Sequence, residues 1–251
     1  MKITGNTILV TGGTSGIGLG LAVELHHAGN KVIVAGRRKQ LLDEIVTDHP
    51  GIEAIVLDVA DPASIALASE TLAASHPELN VLVNNAGIML PENVLDPASL
   101  QIAEDHIEIN LLGTIRMTYA FLPLLINNPD AAIMNVTSAL AFVPMPITPT
   151  YCATKAALHS FSESLRVQLT DAGVQVIEVA PPAVRTTLMG QQDQDTSMPV
   201  ADFLAETLDQ LRAQPDAKEL VVERAKFVRD AEANGTYNQV LTMLSGVPSA
   251  S

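Results

Sequence analysis

At 251 residues, 47% hydrophobic and 17% charged, the sequence has the length and apolar content of one large folded domain and excludes a disordered chain. Acidic residues outnumber basic ones 28 to 14, for a formal charge of −14. Such a field repels nucleic acid and anionic membranes, and no Lys/Arg cluster overrides it, so neither is expected as a partner.

The first ten residues lack an apolar signal core with a cleavage site, and no apolar run reaches membrane-spanning length. The single cysteine, Cys152, excludes an internal disulfide and agrees with a reducing compartment, so a cytoplasmic location is expected. In chain order, short Val/Ile-rich runs at 8–11, 31–35, 54–57, 81–83, 132–136 and 174–179 predict strands buried on both faces of a parallel sheet. Between them, residues 17–28, 39–47, 62–74, 98–126 and 151–171 have helical spacing. Asp61-Pro62 and Asp96-Pro97 read as N-caps followed by proline, and Gly29 and Gly173 as helix stops. A helix near 200–213 and a short strand at 220–222 follow a polar stretch at 191–197. This alternation predicts an α/β fold: a doubly wound parallel sheet with helices on both faces, in a single domain over 1–251.

Directly after the first strand, Thr11-Gly-Gly-Thr-Ser-Gly-Ile-Gly18 opens the first helix. Gly12, Gly16 and Gly18 permit a tight turn and a close backbone approach, so that a diphosphate can meet a helix N-terminus. Thr14, Ser15 and Ile17 complete this candidate cofactor loop. The second strand ends in Gly36-Arg37-Arg38, where a site for NAD would usually place Asp or Glu against the ribose 2′-hydroxyl. Arg37 and Arg38 instead suit a 2′-phosphate, which favours NADPH/NADP+.

Tyr151 and Lys155 are four apart and share one face of a helix. A free phenol titrates near 10, and a neighbouring ammonium is expected to lower this by roughly 1–3 units, enabling proton transfer to or from a carbonyl oxygen. Ser138 follows the fifth strand at the carboxyl edge, where its hydroxyl can donate to the same oxygen. Prolines 144, 146 and 149 stiffen the bridge between these donors.

Taken together, Thr11–Gly18, Asn84-Asn-Ala-Gly87, Asn110, Ser138 and Tyr151-x-x-x-Lys155 resemble the short-chain dehydrogenase/reductase family, in its single-domain branch of about 250 residues, over roughly 5–190. The resemblance implies a Rossmann-type sheet and hydride transfer between a nicotinamide and a carbonyl or alcohol. It gives Lys155 a second duty at the nicotinamide ribose, and gives Asn110 a structural water linking Lys155 to solvent. It assigns Asp58, with Val59 beside it, to the adenine; a turn cap is the alternative for Asp58. Asn84, Ala86 and Gly87 would border the cofactor or stabilise the sheet. Pro181, Val184 and Thr186 would flank the nicotinamide, with Thr186 at its carboxamide. Here the sequence departs from the family's Pro-Gly, reading Pro181-Pro182. The tail also lacks the glycine-rich ending common in tetrameric relatives. A homodimer or homotetramer paired through the long helices at 98–126 and 151–171 is implied.

Other features carry less. Cys152 reads as a small core residue, and His159 as a satisfied core or interface histidine. His26 and His27 point in different directions on a helix without companion ligands, so no metal site is expected. Residues 139–150 have no charged side chain and many apolar ones, which suggests a mainly apolar substrate; Arg185 could instead meet a carboxylate. Met89, Met145, Met189 and Met198, in candidate substrate loops, read equally as pocket lining or as ordinary packing. Substrate loops are expected near 139–150 and 186–200. The expected activity is an NADPH-dependent carbonyl reductase, reversible as an alcohol dehydrogenase. A catalytically silent NADP(H)-sensing protein on the same fold is the alternative. A sugar-nucleotide epimerase or dehydratase would need a larger C-terminal substrate domain.

Overall fold

In the computed structural model, which describes residues 1–246, the predicted apolar runs pair into one seven-stranded parallel sheet in the order β3-β2-β1-β4-β5-β6-β7. The strands are β1 (Thr7–Thr11), β2 (Lys31–Gly36), β3 (Ile52–Val56), β4 (Val81–Asn84), β5 (Ala132–Val136), β6 (Gln175–Val179) and β7 (Glu219–Leu220). The last five residues, part of the expected tail, lie outside the described residues.

Because side chains alternate across a strand, each strand feeds two cores. Ile8, Val10, Val32, Val34, Val81 and Val83 face one side, against α1 (Gly16–His27) and α7 (Val200–Ala213). Leu9, Ile33, Leu82 and Ile133 face the other, against α3 (Pro62–Ser75) and α5 (Gly113–Leu125). The expectation of burial on both faces fails at β3: it is an edge strand, and Glu53, Ala54 and Val56 are exposed.

Local signals act as read. Asp61 accepts the Ala63 N–H at the start of α3, and Asp96 accepts that of Ala98. Gly29 and Gly173 adopt φ of +93° and +68°, the left-handed conformation that ends helices. The predicted helix over 98–126 runs without a gap from Leu100 to Leu125, but its winding changes along the way. It comprises a short 3₁₀ turn, α4 (Leu100–His106), a π-helical turn (Ile107–Leu112) and α5. The helix that carries Tyr151 and Lys155, α6 (Pro149–Gln168), begins at its proline, which needs no N–H partner there.

The strand order reverses between β1 and β4, and ligands of doubly wound folds sit at the carboxyl edge of such a switch point. The glycine loop, the 84–92 segment and Ser138 all leave the sheet at that edge.

Candidate active site

At the switch point lies a cleft of about 710 Å³. Of the residues expected to bind cofactor, Gly12, Thr14, Ser15, Gly16, Ile17, Gly18, Arg37, Arg38, Asp58 and Val59 line it, as do Ala86, Gly87, Pro181, Val184 and Thr186. Ser138, Tyr151 and Lys155 line it as well. Residues separated by more than 130 positions thus share one cavity.

The glycine loop is built for close approach. Gly12 has φ +63°, and a Cβ there would lie 2.8 Å from Ala86 Cα. At Gly18 a Cβ would lie 2.4 Å from the Gly12 carbonyl oxygen. Glycine is therefore required on packing grounds, and the loop leaves room for a diphosphate at the N-terminus of α1. At the end of β2, a Cβ on Gly36 would meet Thr14 Cγ2 at 2.7 Å. Arg38 Nη2 donates to Thr14 Oγ1 at 3.0 Å, and Arg37 Nη1 lies 3.9 Å from Asp58 Oδ2. Asp58 also caps its turn, Oδ1 accepting the Ala60 N–H at 3.0 Å.

Two residues assigned by resemblance lie behind the cleft. Asn84 is buried and donates to Asn135 Oδ1 at 2.9 Å, joining β4 to β5. Asn110, in the π-helical turn, is fully buried and grips the backbone of Ile88: Oδ1 accepts its N–H at 2.8 Å and Nδ2 donates to its carbonyl at 2.9 Å.

Just after Pro181-Pro182 the chain forms a short parallel bridge between Val184 and Met198. Met198 N–H donates to Ala183 O, and Arg185 N–H donates to Met198 O, both at 2.8 Å. Such pairing leaves the N–H and carbonyl of Val184 directed away from Met198. Arg185 is turned away from the cleft, its guanidinium donating to the Ser197 and Asp195 carbonyls.

Ser138 Oγ accepts the Leu140 N–H at 3.1 Å, leaving its proton free to donate. Lys155 Nζ donates to Val136 O at 2.8 Å and lies 5.6 Å from the Tyr151 ring centroid. The expected depression of the phenol is not found. Burial dominates and pushes Tyr151 up to about 12, with the Ser138 hydroxyl pulling weakly the other way. Burial likewise brings Lys155 down to about 8, against an opposing pull from Glu178. The reason is common to both: each ion would lose its hydration in this pocket.

Around Tyr151 the wall is apolar. Met89 and Cys152 are buried with it, and Leu140, Met145, Leu188 and Met189 pack against them. Cys152 is a packed thiol, raised by burial, whose Sγ accepts the Met145 N–H. Reading the sequence missed Glu92, His106 and Glu178. Glu92, almost fully buried, accepts the N–H and hydroxyl of Thr150 at 3.1 and 2.7 Å, just before Tyr151. His106 Nδ1 lies 3.1 Å from Glu92 Oε1, while Nε2 accepts the Leu90 N–H. No spacing pattern marks Glu92 or His106, because their contact arises only on folding. Glu178 did carry a signal: a carboxylate between apolar neighbours, Ile177 and Val179, in a buried strand.

A dinucleotide-type cleft with a serine, a tyrosine and a lysine at its floor defines an oxidoreductase of the Rossmann class. The family model described as short chain dehydrogenase matches residues 6–197, and the chain belongs to that family. An uncharacterized oxidoreductase of Bacillus subtilis, DltE, is 42% identical over 238 residues, covering 92% of this chain and 93% of that protein. An NADP-dependent 3-hydroxy acid dehydrogenase of Schizosaccharomyces pombe is 33% identical over 191 residues, 74% of each chain. Among solved structures, a short chain dehydrogenase from Burkholderia cenocepacia in complex with NADP superposes with a TM-score of 0.83. It is 28% identical and covers 99% of this chain and 100% of its own.

Proposed function

We propose that the protein is an NADPH-dependent reductase of ketones or aldehydes, reversible as an alcohol dehydrogenase. The observation that carries this reading is the convergence of Ser138, Tyr151 and Lys155 on the cleft that also holds the glycine cradle. When bound, the nicotinamide supplies the hydride to the carbonyl carbon. Tyr151 delivers its proton to the oxygen, and Ser138 donates a hydrogen bond to the developing charge. Burial keeps the Tyr151 phenol protonated at neutral pH, the form that can donate to a carbonyl oxygen. Lys155 binds the nicotinamide ribose and stabilises the phenolate left behind. Asn110 serves by fixing Ile88 on the wall of the cleft.

The cofactor preference rests on Gly36, Arg37 and Arg38, which offer no carboxylate to a 2′-hydroxyl and two guanidinium groups to a 2′-phosphate. The S. pombe relative is NADP-dependent and the B. cenocepacia structure holds NADP, in agreement. Val184, Thr186 and Pro181 would flank the nicotinamide, and Asp58 and Val59 the adenine. The methionine-rich wall around Tyr151, and the diversion of Arg185 toward residues 195–197, support a mainly apolar carbonyl substrate held between loops 139–150 and 186–200. Leu100, Ile107, Tyr119 and Val167 are exposed on the helices that would pair subunits, supporting a homo-oligomer. We place the enzyme in the cytoplasm.

The test follows NADPH and NADH absorbance in parallel across neutral and anionic aldehydes and ketones. NADPH oxidation with neutral carbonyls is expected, falling roughly 10²–10⁴-fold in Tyr151→Phe. Undiminished rates in that variant would refute the acid. Tight NADPH binding with no turnover would favour a cofactor sensor, and equal loss of both cofactors in Arg37→Ala would refute the phosphate contact.

A further inference from the structure

The carboxyl end of the sheet carries a row of polar residues: Asn84 pairs in register with Asn135, Asn135 with Glu178, and Glu178 with Glu219. Asn84, Asn135 and Glu178 are each exposed by 4% or less. Asn84 Nδ2 donates to Asn135 Oδ1 and Asn135 Nδ2 to Ser162 Oγ, while Asn84 Oδ1 is left without a partner among the described residues. Glu178 differs because it introduces a charge, where a strand covered on both faces ordinarily carries Val or Ile. A carboxylate there costs several kcal/mol unless donors and cations surround it.

Its surroundings are specific. Glu178 Oε1 accepts the Thr137 hydroxyl at 2.7 Å, and Oε2 accepts His159 Nδ1–H at 2.8 Å. Thr137 lies between Val136, whose carbonyl receives the Lys155 ammonium, and Ser138. His159 lies one helical turn beyond Lys155 on α6. The carboxylate therefore joins the strand end bearing Ser138 to the helix bearing Tyr151 and Lys155. Phe142, in the loop after Ser138, packs edge-on to His159 with ring centroids 4.8 Å apart.

We propose that Glu178 is a positioning residue of the reaction: its carboxylate is the counter-charge that keeps the Lys155 ammonium cationic, and Thr137 and His159 hold it in place. The proposal rests on the reductase reading above for the importance of Lys155, but the charge coupling itself does not. The charged and titratable groups around it are few. On α6, His159 bonds the carboxylate and Lys155 feels its charge, while Glu163 Oε2 lies 3.9 Å from His159 Nε2 on its other side. From α8 (Glu223–Arg229), Arg229 stacks on Phe142 and acts on Glu178, but is already paired with Glu219 of β7 at 2.8 Å. Lys155 is the fully buried cation of this set, and Glu178 is the carboxylate that opposes its desolvation.

The test is a side-chain NMR titration of cofactor-free protein labelled at the lysine ε-carbons, with Lys155→Met identifying the signal. In the parent, Lys155 should titrate near 8. In Glu178→Gln it should titrate roughly one unit or more lower, and in Glu178→Asp, which retains the charge, close to the parent. Should Glu178→Gln not fold, Glu178→Met fills the space without a buried polar group and carries the same expectation. In turnover, the high-pH limb of the kcat/KM profile should move down by the same interval. A Lys155 titration unchanged in Glu178→Gln or Glu178→Met overturns the proposal, whether or not any carbonyl is turned over. A shifted titration in a protein that turns over no carbonyl would retain the coupling and refute only the reductase reading.

Discussion

Replacing Lys155 by methionine should stabilise the cofactor-free protein while abolishing its chemistry. Burial brings the ammonium from 10.5 down to about 8, so carrying it protonated at neutral pH costs the fold about 3 kcal/mol. Methionine fills a similar volume without the charge, but forfeits the bond from Nζ to the Val136 carbonyl, a loss of about 1 kcal/mol. The net gain is about 2 kcal/mol, or a rise in Tm of roughly 4–8 °C for a chain of this length. The sign of the pH dependence follows from proton counting. Between about 8 and 10.5 the unfolded chain holds a proton at this lysine that the folded protein has released, so parental stability rises with pH across that window. Lys155→Met should lack this rise. Denaturant unfolding of both proteins from pH 7 to 10.5 measures the difference, in which the common contribution of Tyr151 cancels. A variant less stable than the parent at pH 7, or a difference that stays flat across the window, would refute the reasoning. With NADPH added the order should reverse, since ligand binding stabilises only the protein that binds it.

Three further outcomes are expected. Gly18→Ala places a methyl 2.3 Å from Asn85 Nδ2 and 2.4 Å from a backbone carbonyl, so it should cost roughly 1–3 kcal/mol and weaken NADPH binding by at least tenfold. Parental melting and affinity would count against the cradle. Glu92→Ala removes the acceptor for both donors of Thr150 and leaves His106 without its carboxylate; a loss of about 2–4 kcal/mol is expected by denaturant titration, together with a fall in kcat. Met189 holds φ +53° without being glycine. Met189→Gly should relieve about 1 kcal/mol of backbone strain and keep stability near the parent's, while KM for apolar carbonyls rises several-fold. A large loss of stability with unchanged KM would assign Met189 to packing alone.

The sequence by itself determined the repeating strands and helices, because continuous Val/Ile runs and capped helical spacing are local properties that folding did not override. It also determined the glycine loop: Gly12 and Gly18 are dictated by backbone approach, and no other residue fits there. Tyr151 and Lys155 were legible as a pair because helical spacing alone puts them on one face. What only the tertiary structure decided is the electrostatics. The same spacing that brings the ammonium to the phenol says nothing of how deeply both are buried, and desolvation is the largest influence on where each titrates. The π-helical turn that carries Asn110 to Ile88, the buried Glu92–His106 contact and the Glu178 network join residues 14 to 41 positions apart. Such contacts depend on which side chains meet when α4 and α6 cover the sheet, and no local pattern of residues encodes that meeting.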